Sequence, residues 1–136
     1  MPTTPIVIPV TLNNDTPPAL IIPQTYMEVV VQGGLGIQQI TWQLHGNAST
    51  GVFVSGDSAH PPIAWLGSNA PAPGVFQPAP GIGSGGLTYT LADNNPAGGT
   101  AQTYLYQLCA KFGNNYYYTA AASLGGNPAT PRIKNN

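Results

Sequence analysis

The chain has 136 residues, 42% of them apolar, with three basic and four acidic side chains giving a net charge of −1 at pH 7. That length suits one domain with a sizeable core, but charged residues reach only 5%, against roughly 25% in ordinary soluble domains. Lys111, Arg132 and Lys134 are too few to build the basic footprint of a nucleic-acid or anionic-membrane binder, no run approaches the ~20 apolar residues of a membrane span, and the lone Cys109 excludes an intrachain disulfide.

The start, Met1-Pro2-Thr3-Thr4-Pro5, lacks a basic region and the apolar stretch behind it is short, so no standard signal peptide is read there. Synthesis in the cytoplasm is expected, with assembly outside the cell open only by another route. Ile6, Ile8, Val10 and Leu12 share one parity and predict a strand over 5–12, closing at Asn13-Asn14-Asp15. Pro9 inside it points to an edge position or an extended arm, because proline donates no ladder hydrogen bond. Pro17-Pro18 then precede a short apolar run, Leu20-Ile21-Ile22. Residues 25–32 alternate, with Met27, Val29 and Val31 on one face, until Gly33-Gly34 turns the chain. Ile40, Trp42 and Leu44 set an apolar face against Gln39, Thr41 and Gln43, the cleanest period of two in the sequence.

Short strands are predicted at Thr50–Val54 and Ile63–Leu66. Residues 67–86, dense in Pro, Gly, Ala and Ser, read as a long loop whose bulky apolar pair is Val75-Phe76. Strand pattern resumes over Leu87–Ala92, and Asp93-Asn94-Asn95-Pro96 through Gly98-Gly99 is a turn by composition. Tyr104, Tyr106, Leu108, Ala110 and Phe112 share one parity over 101–112, and Gly113-Asn114-Asn115 leads into a hairpin partner, Tyr116–Ser123. Thr130–Lys134 is a final extended segment. No window sustains apolar residues at helical spacing for three turns. Seven to nine short strands in a single domain, 1–136, predict an all-β, antiparallel two-sheet sandwich, immunoglobulin-like or jelly-roll-like.

No cofactor is expected. A copper site of the cupredoxin kind wants His and Met after its Cys, whereas His45 and His60 both precede Cys109, which reads as a buried thiol. No Gly-x-Ser-x-Gly elbow places a serine nucleophile. Asp57 and Asp93 are the acids best sited for paired-carboxylate chemistry, a weak pattern in so acid-poor a chain. Asp93-Asn94-Asn95 offers calcium-type oxygens without EF-hand spacing, and an Asx turn explains it more simply. Asn47-Ala48-Ser49 fits the N-glycosylation pattern, read as coincidence without a secretory signal. Trp65, Phe76, Tyr116, Tyr117 and Tyr118 are the candidate ligand or interface aromatics, since rings among Asn and Gln suit sugar stacking or a protein interface.

The order Trp42-Gln43-Leu44, Pro62-Ile63-Ala64-Trp65, Asp93-Asn94-Asn95, Tyr104-Leu105-Tyr106 and Pro131-Arg132-Ile133-Lys134-Asn135 resembles small bacterial β-sandwich proteins of unassigned function, over most of the chain from residue 37 onward. The resemblance implies an immunoglobulin-like sandwich and a bacterial source. It implies no activity and no site residue.

The expected function is therefore non-enzymatic: a structural or interaction module that associates with itself, into an oligomer or filament, through edge strands and uncharged faces. Edges are normally guarded by charge, and this chain has little to spend. Residues 2–12, with Ile6, Val7, Ile8 and Val10, are the candidate strand-exchange arm. The alternative is a carbohydrate- or protein-binding module using the aromatics and the 67–86 loop.

Overall fold

Alternating apolar side chains do make strands here, and the strands make two sheets. The computed structural model describes residues 5–13, 18–33, 36–55, 59–66, 70–72, 74–95, 102–119 and 131–135. Among them run β1 (Ile6–Leu12), β2 (Leu20–Ile21), β3 (Glu28–Val31), β4 (Gln38–Leu44), β5 (Ile63–Leu66), β6 (Phe76–Ile82), β7 (Thr88–Asp93), β8 (Gln102–Phe112), β9 (Asn115–Tyr118) and β10 (Arg132–Asn135). Three single 3₁₀ turns, at Gln24–Tyr26, Gly46–Ala48 and Ser84–Gly86, complete the regular structure. One sheet has the order β2-β1-β4-β7-β6 and the other β3-β10-β8-β5, with β9 also on β8.

The all-β two-sheet sandwich is thus as expected, with two differences in detail. Ten strands are present among the described residues rather than seven to nine, and each sheet is mixed rather than wholly antiparallel. β1 runs parallel to β4, from Ile6↔Ile40 to Val10↔Leu44, and β10 parallel to β3, from Arg132↔Glu28 to Asn135↔Val31. Both parallel pairs join segments distant in sequence, where no tight hairpin dictates direction.

The core lies where the alternation pointed. Ile8, Val10, Ile40, Trp42, Tyr106, Leu108, Ala110 and Ile133 have no solvent exposure, drawn from both sheets. At its centre the Trp42 indole Nε1–H donates to Tyr106 Oη at 3.0 Å, and the rings meet edge to face with centroids 5.3 Å apart. β4 and β8 are thereby tied across the sandwich. Each such ring buries roughly 150–250 Å², or on the order of 4–6 kcal/mol of transfer free energy at ~25 cal/mol per Å².

Three local expectations need correction. Thr50–Val54 is not a strand: Val52 makes one isolated bridge with Lys111, and then Phe53 N–H turns to Gly86 O, which draws the chain off the ladder. The 67–86 stretch is not all loop, for β6 pairs with β7 from Phe76↔Asp93 to Ile82↔Tyr89, with a register break between Pro78 and Gly81. Its prolines hid it, and they are tolerated because β6 is an edge strand whose outer side owes no hydrogen bonds. Asp93, expected in a turn, ends β7 and is fully buried. Asp57, residues 2–4 of the arm, 14 and 15 at its close, 67–69 and 73 of the predicted loop, 96–99 of the predicted turn, 120–123 of the hairpin partner and Thr130 lie outside the described residues. No helix of the described residues is long and apolar enough to cross a membrane.

Candidate functional site

β1 is partly open to a partner. Among the described residues only β4 pairs along Ile6–Val10, because β2 reaches only Thr11 and Leu12. Val10 O accepts from His45 N–H at 2.9 Å on the β4 side. Alternation then turns the backbone groups of Val7 and Pro9 to the open side. Pro9 sits where a missing N–H costs its own sheet nothing and denies a donor to any added strand. The end of β1 is held by Asn47, whose side chain accepts from Leu12 N–H (2.9 Å) and donates to Leu12 O (2.8 Å). The asparagine of the glycosylation-like triplet is therefore a backbone clamp. Just beyond it, Asn13 N–H donates to Ala19 O at 3.0 Å.

Charge is distributed unevenly over the two outer faces. Val7, Pro9 and Thr11 on β1, Gln39, Thr41 and Gln43 on β4, and Thr88, Thr90 and Ala92 on β7 share the outer face of the first sheet by register. None is ionisable, and Thr41 and Thr90 hydroxyls meet at 2.7 Å. The described charges outside the core, Glu28, Lys111, Arg132 and Lys134, all belong to strands of the second sheet. Glu28 and Arg132, register partners, border an open depression of about 310 Å³ with Gln24, Thr25 and Met27.

The candidate aromatics divide into separate groups. Trp65 packs on Phe76 with centroids 4.7 Å apart, and Tyr104 meets both edge-on. These rings close the flank of the sandwich between β5 and β6. Tyr116 and Tyr118 stand beside Lys111 and Cys109 on the outer face of the second sheet. There the His60 ring stacks on Tyr116, 3.9 Å between centroids and 8° between planes, and its Nδ1 hydrogen-bonds Tyr118 Oη. Lys111 Nζ lies 5.7 Å from the Tyr116 centroid. Tyr117 has the opposite parity and packs on Phe112 at 5.3 Å. Cys109 faces outward with Tyr118, yet it is 4% exposed and its N–H donates to Pro62 O. Tyr118 is its register partner on β9. Sequence reading had no means of finding His60 in this cluster, since 56 residues separate it from Tyr116.

Opposite that patch, at the end of β7, lies the least expected polar group. Asp93 Oδ1 accepts from Asn135 Nδ2 at 2.9 Å, joining the two sheets. Asp93 Oδ2 and Asn135 Oδ1 are buried with no hydrogen-bond partner among the described residues. Burial pushes the Asp93 carboxyl up to about 6, against a smaller downward pull from the Asn135 bond. Nearby, Asn95 Nδ2 donates to Val31 O at 2.9 Å. Parity with Tyr89 and Leu91 was the available signal that Asp93 points inward.

The described residues hold no group of three His, Cys, Asp or Glu side chains arranged for a metal ion. Compared with known protein families and with curated proteins, the chain matches none.

Proposed function

We propose that this protein is a non-enzymatic structural module of immunoglobulin-like build that joins copies of itself by exchanging strand β1. The immunoglobulin-like reading rests on strand order. β4-β7-β6 stand in the places of strands B, E and D, and β5-β8-β10 in those of C, F and G. Trp42 and Tyr106 then occupy the two strands that antibody domains link by an inter-sheet disulfide, and Trp65 occupies strand C, where those domains keep a tryptophan.

The observation behind exchange is that a strand paired only with β4 over Ile6–Val10, among the described residues, completes the core. Ile8 and Val10 are fully buried, worth on the order of 3–6 kcal/mol together. β1 therefore stays docked against a β4, its own or that of a neighbouring copy. The contacts are the same in both cases, so concentration and the 13–19 connection decide between them.

Simple edge-to-edge addition is the weaker route. Pro9 faces outward on β1, β6 is broken between Pro78 and Gly81, and the remaining edges among the described residues, β2, β3, β5 and β9, have two to four residues each. The uncharged outer face of the first sheet supports the same conclusion, since nothing on it repels an approaching copy. A carbohydrate platform on Trp65 and Tyr116–Tyr118 fits less well. Trp65 is engaged with Phe76, and one face of Tyr116 is covered by His60.

Val7 and Thr41 are register partners on the outer face, so the Val7→Cys/Thr41→Cys protein, with Cys109→Ser, tests the exchange. Oxidised at high concentration, exchanged copies give a covalent ladder on non-reducing gels and matching masses by light scattering. A monomer throughout, with every crosslink inside one chain, would refute the proposal.

A further inference from the structure

The buried pair at the end of the sandwich has an unresolved valence. Asp93 is 0% and Asn135 4% exposed, and they share one hydrogen bond, from Asn135 Nδ2 to Asp93 Oδ1. Each has one oxygen left over, Oδ2 on the acid and Oδ1 on the amide, and neither has a partner among the described residues. Two acceptors cannot satisfy each other. A buried polar atom without a partner costs about 1–3 kcal/mol, and more when charged. A carboxylic acid facing a primary amide resolves the pair with one proton: the acid O–H donates to the amide oxygen while the amide N–H donates to the other acid oxygen.

We propose that Asp93 and Asn135 form a proton-operated latch between the two sheets, closed with two hydrogen bonds when Asp93 is protonated and strained with one when it is ionised. The location gives the latch its consequence. Asp93 is the last residue of β7 in the first sheet, and Asn135 closes β10 in the second. Asn135 is also the register partner of Val31 at the end of β3. Protonation therefore ties β7 to the β3–β10 edge, beside the Asn95 bond to Val31 O.

The groups around Asp93 leave its charge uncompensated. Its register partners are Gln38 on β4 and Phe76 on β6, and from β10 it meets the Asn135 amide. Tyr104 on β8 is the titratable neighbour, its phenol pushed up by burial and then by the Asp93 charge. Glu28, Arg132 and Lys134 have the opposite parity on β3 and β10 and point to the outer face.

The sign follows from linkage. Burial raises the Asp93 carboxyl to about 6 from an ordinary 3.8. Its contribution to stability is thus fully present below pH ~4 and is lost as pH rises through 6. Over that window the folding equilibrium weakens by roughly a hundredfold from this group alone, the antilogarithm of a shift of about two units.

Two measurements test the latch. Carboxyl-carbon NMR of the intact wild-type protein is expected to show Asp93 titrating near 6, with the Asn135 side-chain amide resonances moving at the same midpoint. An Asp93 midpoint near 4, or amide resonances indifferent to it, would overturn the proposal. Asp93→Asn mimics the protonated acid, since its amide both accepts from and donates to Asn135. It is expected to be more stable than wild type at pH 7.5, with the advantage fading toward pH 4.5. A variant less stable than wild type at pH 7.5, with a normal Asp93 titration in the parent, would show that the charged form is the one the fold prefers. Neither readout depends on self-association, so its failure is distinct from failure of strand exchange.

Discussion

Replacing Tyr106 by Phe isolates the one hydrogen bond at the centre of the core. The ring stays in its edge-to-face contact with Trp42, 5.3 Å between centroids and 68° between planes, while the oxygen that accepts the indole N–H at 3.0 Å is lost. Both side chains are fully buried, so no water takes the oxygen's place. A buried donor left without a partner costs about 1–3 kcal/mol, and the gap left by one oxygen adds little. We expect about 2 kcal/mol of lost stability. With a urea slope of ~2 kcal/mol/M for a domain of this size, the unfolding midpoint falls by ~1 M at unchanged slope. Burial pushes the Tyr106 phenol far above its ordinary range, so the loss should be constant from pH 5 to 9. Trp42→Phe costs more, since it also leaves a cavity. The double variant should cost less than the sum, because no orphaned group remains. A midpoint within ~0.2 M of wild type for Tyr106→Phe, or strict additivity in the cycle, would show that packing alone joins β4 to β8.

Two glycines of similar backbone make a matched pair for urea unfolding. At Gly86 (φ +77°) an added Cβ would meet Val52 Cβ at 2.8 Å, whereas at Gly113 (φ +63°) it meets nothing within 4 Å. Gly113→Ala should cost about 1 kcal/mol of left-handed strain, and Gly86→Ala that plus about 1–3 kcal/mol of overpacking; equal costs would contradict the contact. His60→Ala removes the ring stacked on Tyr116 and the hydrogen bond to Tyr118, the register partner of Cys109, so with Tyr118 released the Cys109 thiol should react with an aromatic disulfide reagent at least ~10 times faster in the folded state. An unchanged rate would mean that the sheet alone shields it.

Much of the fold was legible because most strands obey a period of two with one apolar face. β4 and β5 were readable almost to the residue, and the parity of Tyr104, Tyr106, Leu108 and Ala110 correctly marked the inward face of β8. β6 was not legible, since Phe76-Gln77-Pro78-Ala79-Pro80-Gly81-Ile82 has the composition of a loop. What makes it a strand is its neighbour β7, a tertiary fact that local propensity does not encode. Strand direction was hidden for the same reason: alternation says which face is buried, not which way a distant partner runs. Among the candidate aromatics, type was readable and grouping was not. Trp65 with Phe76 and His60 with Tyr116 are contacts across strands that no spacing foretells.

The scarcity of charge takes on a different meaning once the edges are located. Sequence reasoning treats missing lysines as missing protection, because charge is the usual guard of an open strand. Here proline and brevity take that role. Pro9 withholds a donor on the open side of β1, β6 is broken between Pro78 and Gly81, and β2, β3 and β5 span two to four residues. Among the described residues, charge is then released from edge duty and gathers on the second sheet, leaving the outer face of β1, β4 and β7 neutral. A chain whose edges resist new strands keeps one low-cost way to join copies, which is to reuse a pairing it already makes. In the proposed exchange β1 against β4 is that pairing, since a neighbour's β1 would bring the same ladder, the same buried Ile8 and Val10, and the same outward Pro9. On the proposed exchange, proline at position 9 would block uncontrolled stacking while leaving exchange untouched. Pro9→Val is then expected to shift the protein from discrete exchanged species toward open-ended edge pairing, read by light scattering coupled to size exclusion.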